Sequence, residues 1–330
     1  MLQNQGGIGR FAVRGGLLAV IAFCAAFVLR SGGADASATV SGESSTLPFR
    51  GVLTFATPGN GDPFAPTMVQ DYDLASGELT VRFDGLDPTR ARTGETAYVT
   101  RLAPGWAADH GVVVADPRGV PGAPLHVCKE YNWSNNAICG VPKLAPNGRL
   151  VAFVMRGGSG TLCKNNYDMF WGDFVVVTDR QGTEVARFEG HTLPEWLPNG
   201  RLLMMGTQCR SAGVWLADPA LRSATRIDNQ QVSTPAGLSA VSPDGSTLAF
   251  VWNRQLWSMT LTGNPELTQL THLPRSVSAA TWSPDGKAIA LLMFDVSMPV
   301  KSLAVLRPGD ERSIVFLPLN VYPYGPISWR

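Results

Sequence analysis

The sequence predicts an all-β fold, a six-bladed β-propeller with four-stranded blades whose C-terminal strand joins the N-terminal blade. Three observations predict it. A Pro-Asn-Gly or Pro-Asp-Gly turn recurs along the chain; an apolar alternating strand follows in every unit; and the last residues read as the opening of a unit whose remainder stands near residue 50.

The turn copies come first. Leu238-Ser-Ala-Val-Ser-Pro-Asp-Gly-Ser-Thr-Leu-Ala-Phe250 aligns with Ala279-Ala-Thr-Trp-Ser-Pro-Asp-Gly-Lys-Ala-Ile-Ala-Leu291, and further copies stand at Lys143-Leu-Ala-Pro-Asn-Gly-Arg-Leu-Val-Ala-Phe153 and Glu195-Trp-Leu-Pro-Asn-Gly-Arg-Leu-Leu-Met204. Each reads as strand, tight turn, strand. Pro presets φ, Asp or Asn bonds nearby backbone, and Gly accepts φ > 0. A ligand role would need charge, whereas Asp244 and Asp285 interchange with Asn147 and Asn199, so the motif is structural.

The second series stands at Met68 to Leu74, His110 to Asp116, Phe174 to Asp179, Gly213 to Asp218, Gln255 to Thr260 and Ser302 to Leu306, six strands for six units. Counting turn glycines as Gly94 (a degenerate copy), Gly148, Gly200, Gly245 and Gly286 gives spacings of 54, 52, 45 and 41 residues. Periods near 40–50 with about four strands per unit are a propeller signature. The chain stops at Pro326-Ile-Ser-Trp-Arg330, which matches Ala280-Thr-Trp-Ser283, while Gly51-Val-Leu-Thr-Phe55 begins with a second strand. Sharing one blade between the termini closes the ring and removes exposed sheet edges.

Composition agrees. Glycine (35) and proline (24) are spread over turns, and the 330 residues carry a formal charge of only +1 with Lys and Arg unclustered, which argues against nucleic acid as a partner. Arg10 and Arg14, the apolar run Gly15 to Leu29 and the small residues Ser31 to Ala38 outline an export signal in residues 1–30, either cleaved or kept as a membrane anchor through residues 11–29. Phe23 before Cys24 argues against lipidation. Residues 31–49 read as a flexible linker and 50–330 as the propeller. The implied location is periplasmic, cell-surface or secreted, with membrane contact only through an uncleaved leader.

Past the leader stand Cys128, Cys139, Cys163 and Cys209, an even number suited to disulfides, with three connectivities open. No Cys-x-x-Cys spacing exists and the histidines are read as lying apart, so no metal or cofactor is expected. Asp71-Tyr-Asp73 shares one strand face and reads as solvated rather than cation-binding.

The Ser-Pro-Asp-Gly copies at Ser242 to Gly245 and Ser283 to Gly286, with an apolar or aromatic residue before and an apolar strand after, resemble the TolB-like propeller repeat over residues 50–330. The resemblance implies a six-bladed, envelope-facing interaction scaffold. TolB-like repeats also cap some serine peptidases, and this chain carries neither a separate N-terminal α/β domain nor room for a peptidase domain.

In such blades the loop between second and third strands opens on the same face as the link to the next blade. That pairs Cys163 with Cys209 in equivalent loops, and Cys128 with Cys139 around residues 129–138. The same face is expected to present Tyr131, Trp133, Tyr167, Phe170, Trp171 and Arg210, types enriched at interaction hot spots. Trp196, Trp215, Trp257, Trp282 and Trp329 read as core. No Gly-x-Ser-x-Gly elbow is present. The expected function is therefore a non-enzymatic module for a protein or cell-envelope partner, with a hydrolase or lyase at the channel mouth as the alternative.

Overall fold

The computed structural model describes residues 49–330 apart from 59–66, 103–108, 129–137, 157–172, 207–211, 229–230, 233–236, 238, 296–297 and 320–322. Contacts divide the chain into Met1–Ser45 and Thr46–Arg330, and only the second unit is described below.

Among the described residues the strands form six four-stranded antiparallel sheets. β1 (Val52–Pro58), β2 (Thr67–Asp73) and β3 (Leu79–Asp84) belong to the first blade. β4 (Leu86–Arg90), β5 (Thr96–Arg101), β6 (His110–Ala115) and β7 (His126–Cys128) form the second; β8 (Ile138–Leu144), β9 (Leu150–Arg156), β10 (Asp173–Asp179) and β11 (Glu184–Glu189) the third. β12 (His191–Trp196), β13 (Leu202–Gly206), β14 (Gly213–Asp218) and β15 (Ser223–Arg226) form the fourth; β16 (Ser239–Val241), β17 (Thr247–Trp252), β18 (Gln255–Thr260) and β19 (Leu267–Gln269) the fifth. The sixth holds β20 (Ser276–Trp282), β21 (Ile289–Asp295), β22 (Met298–Arg307) and β23 (Asp310–Phe316). β24 (Tyr324–Trp329) then pairs with β1, Leu53 opposite Trp329, and completes the first blade, as the sequence predicts.

The first strand of each blade lies innermost, so β24, β4, β8, β12, β16 and β20 pack around the axis. The second strand of each blade is sandwiched between neighbouring blades and largely buried on both faces, which is why β13 is buried throughout and reads as a continuous apolar run. Outer strands such as β3 and β15 are exposed or half-buried.

The turn acts as its composition requires. The Gly N–H of each copy donates to the carbonyl of the residue before Pro, at 2.8 Å for Gly148 and 2.9 Å for Gly200, Gly245 and Gly286. All four glycines have positive φ, between 69° and 82°. Asn147 and Asn199 accept the backbone N–H two residues on at 2.9 and 3.0 Å, and Asp244 and Asp285 do so at 3.0 Å. The degenerate copy works likewise, Gly94 N donating to Ala91 O at 2.9 Å.

Most blade interfaces are apolar. Leu53, Phe55 and Tyr72 meet Leu292, Leu303 and Val305 between blades one and six, and Val175 and Val177 meet Leu202 and Met204 between three and four. The interface between blades one and two differs. Its apolar cluster is small (Tyr98, Val113 and Ala115 with Phe83), and Asp71 of β2 pairs instead with Arg90 of β4.

Candidate functional site: the axial cavity

At the end of the axis that carries the Pro-Asp/Asn-Gly turns, the inner strands of all six blades line a cavity of about 310 Å³. The strands reach it through a distortion. Asp87, Val141 and Leu193 have positive φ (48°, 48° and 52°), each directly precedes a proline, and β4, β8 and β12 shift register around them. A bulge bends a strand and re-aims the side chains beyond it. Proline is tolerated there because the innermost strand is a sheet edge with no ladder partner toward the axis.

The bulged strands deliver matching positions. Three residues before the turn proline stand Lys143, Glu195, Ala240 and Thr281, with Thr89 and Ser328 as counterparts in the blades that lack it; the next positions are Leu144, Trp196, Val241, Trp282, Arg90 and Trp329. Indole N–H groups tie this tier together: Trp196 donates to Lys143 O at 2.9 Å, Trp282 to Ala240 O at 3.2 Å and Trp329 to Arg50 O at 2.9 Å. Thr89 Oγ1 donates to Pro142 O, and Ser328 Oγ accepts from Arg90 N at 3.0 Å.

Two charge pairs sit in the wall. Lys143 Nζ lies 2.6 Å from Glu195 Oε1, with the side chains 14% and 12% exposed. Burial pushes the Glu195 carboxyl above its usual range, against the pull of Lys143. On the other side the Arg90 guanidinium, only 3% exposed, pairs with Asp71, whose other oxygen accepts Thr54 Oγ1 at 2.6 Å. Burial lowers the Arg90 pKa, with Asp71 opposing. Arg82 and Arg330 approach the same carboxylate at 3.8 and 4.0 Å. Of these arginines Arg90 lines the cavity, where exposed Arg92 joins it at the mouth. The site therefore offers one exposed arginine at its mouth, aromatic walls and an internally compensated ion pair.

Several sequence expectations change here. Asp71 is not on a solvated face: it is buried because β2 packs against the second blade, and the cation it holds is a guanidinium. Asp73, two residues on, caps a turn by accepting from Ala75 N and Ser76 N at 2.8 and 2.9 Å. Trp196, Trp282 and Trp329 are cavity walls as well as core. The turns, read as purely structural, border the cavity. His126 does not lie apart from the cysteines, because residues i and i+2 of a strand share a face and His126 precedes Cys128 by two.

Cys128 and Cys139 form a disulfide, Cα to Cα 5.8 Å. Tyr131, Trp133, Tyr167, Phe170, Trp171, Arg210, Cys163 and Cys209 all lie outside the described residues, as does the leader. No helix among the described residues is long and apolar enough to cross a membrane.

No family model and no curated protein sequence matches the chain. Solved structures do. TolB from Acinetobacter baumannii superposes with a TM-score of 0.63 at 14% identity, over 84% of this chain and 66% of that one. A putative TolB from Agrobacterium tumefaciens gives 0.52 at 13%, over 81% and 88%. A chain of a nidogen/laminin complex gives 0.56 at 12%, over 84% and 97%. At such identities the likeness is one of fold, and the fold of this chain is a TolB-like six-bladed β-propeller.

Proposed function

We propose that this protein is an exported, non-enzymatic interaction module that binds a protein or cell-envelope partner at the axial mouth. The observation that carries the reading is the cavity itself: one concave surface to which every blade contributes, walled by three tryptophans, with Arg92 exposed at its mouth. Trp and Arg are the types that dominate interface energetics. A propeller of this fold was solved within a nidogen/laminin complex, an analogy of architecture only. Residues 1–30 would direct export or anchor the chain, residues 31–49 would tether the propeller, and the aromatic set from Tyr131 to Trp171 with Arg210 would form a second contact surface.

A hydrolase or lyase is the second reading, favoured by one observation. Glu195 is a carboxyl whose pKa burial raises, in a cleft and beside a lysine, as acid–base groups often are.

Site-specific photo-crosslinking in cells separates the readings. A photoreactive residue replacing Arg92 at the mouth is expected to trap a discrete partner, and the same probe replacing exposed Val81 on β3 to trap none. Identical adducts from both positions would remove the axial site. Turnover of a hydrolase or lyase substrate that is lost in Glu195→Gln would favour the enzyme.

A further inference from the structure

The Nδ1 or Nε2 of His126 and the Sγ atoms of Cys128 and Cys139 lie within 4.8 Å of one another. They come from two blades, His126 and Cys128 from β7 and Cys139 from β8. Cys128 and Cys139 are buried in an apolar cluster with Val112, Phe153 and Val176. The His126 ring packs against Phe153 with centroids 5.2 Å apart, which holds the imidazole toward the sulfurs. The disulfide occupies this triad in the oxidised protein.

We propose that in the reduced protein His126, Cys128 and Cys139 bind a soft divalent cation such as Zn²⁺, leaving the fourth tetrahedral position to water. Two thiolates and an imidazole are a donor set suited to zinc. Zn–S of about 2.3 Å and Zn–N of about 2.1 Å give tetrahedral ligand separations of about 3.5–3.8 Å. The cluster needs only side-chain rotation to reach them, since the cysteine Cα atoms already stand 5.8 Å apart. The apolar shell around the sulfurs controls solvent access to the site. The exchange balances. A dithiol reductant gives two electrons and two protons to the disulfide and leaves as its own disulfide; the cation then displaces both thiol protons to solvent. The junction of blades two and three is held by a covalent bond in one redox state and by a metal in the other.

The test uses the full chain with Cys24, Cys163 and Cys209 replaced by Ser, reduced and titrated with Co²⁺. The expected result is one equivalent bound, with the visible bands of tetrahedral thiolate-bound cobalt, no such bands in the oxidised protein, and displacement by Zn²⁺. His126→Ala should weaken binding by at least about tenfold, and Cys128→Ser should abolish the bands. In parallel, Zn²⁺ should raise the Tm of the reduced wild-type chain more than that of reduced His126→Ala at the same concentration. No cobalt spectrum in the reduced protein together with no Zn²⁺-dependent Tm rise overturns the proposal, as does binding that His126→Ala leaves unchanged.

Discussion

The junction between blades one and two makes a demand on stability that can be worked through. Replacing Asp71 by Leu leaves the Arg90 guanidinium, 3% exposed, without its carboxylate, and takes the acceptor from Thr54 Oγ1. Breaking a buried pair by removing one partner costs about 3–5 kcal/mol, and an unsatisfied hydroxyl adds about 1 kcal/mol. Arg82 and Arg330 are more exposed and can turn to solvent, so they contribute little. A loss of about 4 kcal/mol is a large share of a typical total of about 5–15 kcal/mol. With an m-value of about 3 kcal/mol/M, the urea midpoint should fall by about 1.3 M. Arg90→Met should cost less than Asp71→Leu, since Asp71 keeps Arg82 and Arg330 within 3.8 and 4.0 Å. The double variant should return to within about 1.5 kcal/mol of wild type, because an apolar pair can replace a buried ion pair. Equilibrium unfolding of all four proteins gives the coupling energy. A loss below about 1 kcal/mol for Asp71→Leu, or a double variant as unstable as the single, would refute the assignment of this junction to the ion pair.

The turns, the cavity and the disulfide each set a further expected outcome. Hydrogen bonds from serine hydroxyls and backbone hold the Asp244 carboxyl down at about 2, and Asp73, Asp116, Asp179 and Asp285 are also lowered. A depressed carboxylate pKa stabilises the fold above its unfolded value, and the contribution is lost as pH falls. Tm should therefore drop below about pH 4, less steeply in Asp244→Asn, whereas Asp244→Ala should be destabilised at every pH. Glu195 has the opposite sign: its raised pKa gives stability that is complete below the ordinary glutamate range and declines as pH rises through the raised value. Lys143→Met/Glu195→Leu should abolish that decline in a pH series of urea midpoints. Cys128→Ser/Cys139→Ser opens a bridge of sequence separation 11. Loop entropy puts the loss at about 3 kcal/mol, and an unchanged urea midpoint would mean the bridge constrains nothing.

How much of this could be read in advance depended on whether the information was local. The turn needs Pro, a short polar side chain and Gly in sequence, so blade number and the closing strand were legible from it; Asn147 filling the role of Asp244 bears that out. Second strands were legible because burial on both faces leaves continuous apolar runs. Outer strands such as β3 and β15 show no such run, since one side faces solvent. The axial site was not legible, because Lys143 and Glu195 stand 52 residues apart and meet only when adjacent blades align. A signal did exist in the repeats: the third position before the turn proline varies between charge, hydroxyl and alanine while the position after it stays apolar, as Leu144, Trp196, Val241 and Trp282. Asp71 was misjudged because alternation places it on a face without saying that another blade covers that face. The expected binding residues Tyr131, Trp133, Tyr167, Phe170, Trp171 and Arg210 lie outside the described residues.

The most direct test is hydrogen exchange on the propeller alone and with the partner trapped at position 92. The account predicts new protection in the ends of all six inner strands and the turns next to them, from Thr89 to Thr93, around Lys143 and Glu195, from Ala240 to Pro243, from Thr281 to Pro284 and at Ser328 and Trp329. Protection confined to the outer strands β3, β7, β11, β15, β19 and β23, with these segments unchanged, would contradict it.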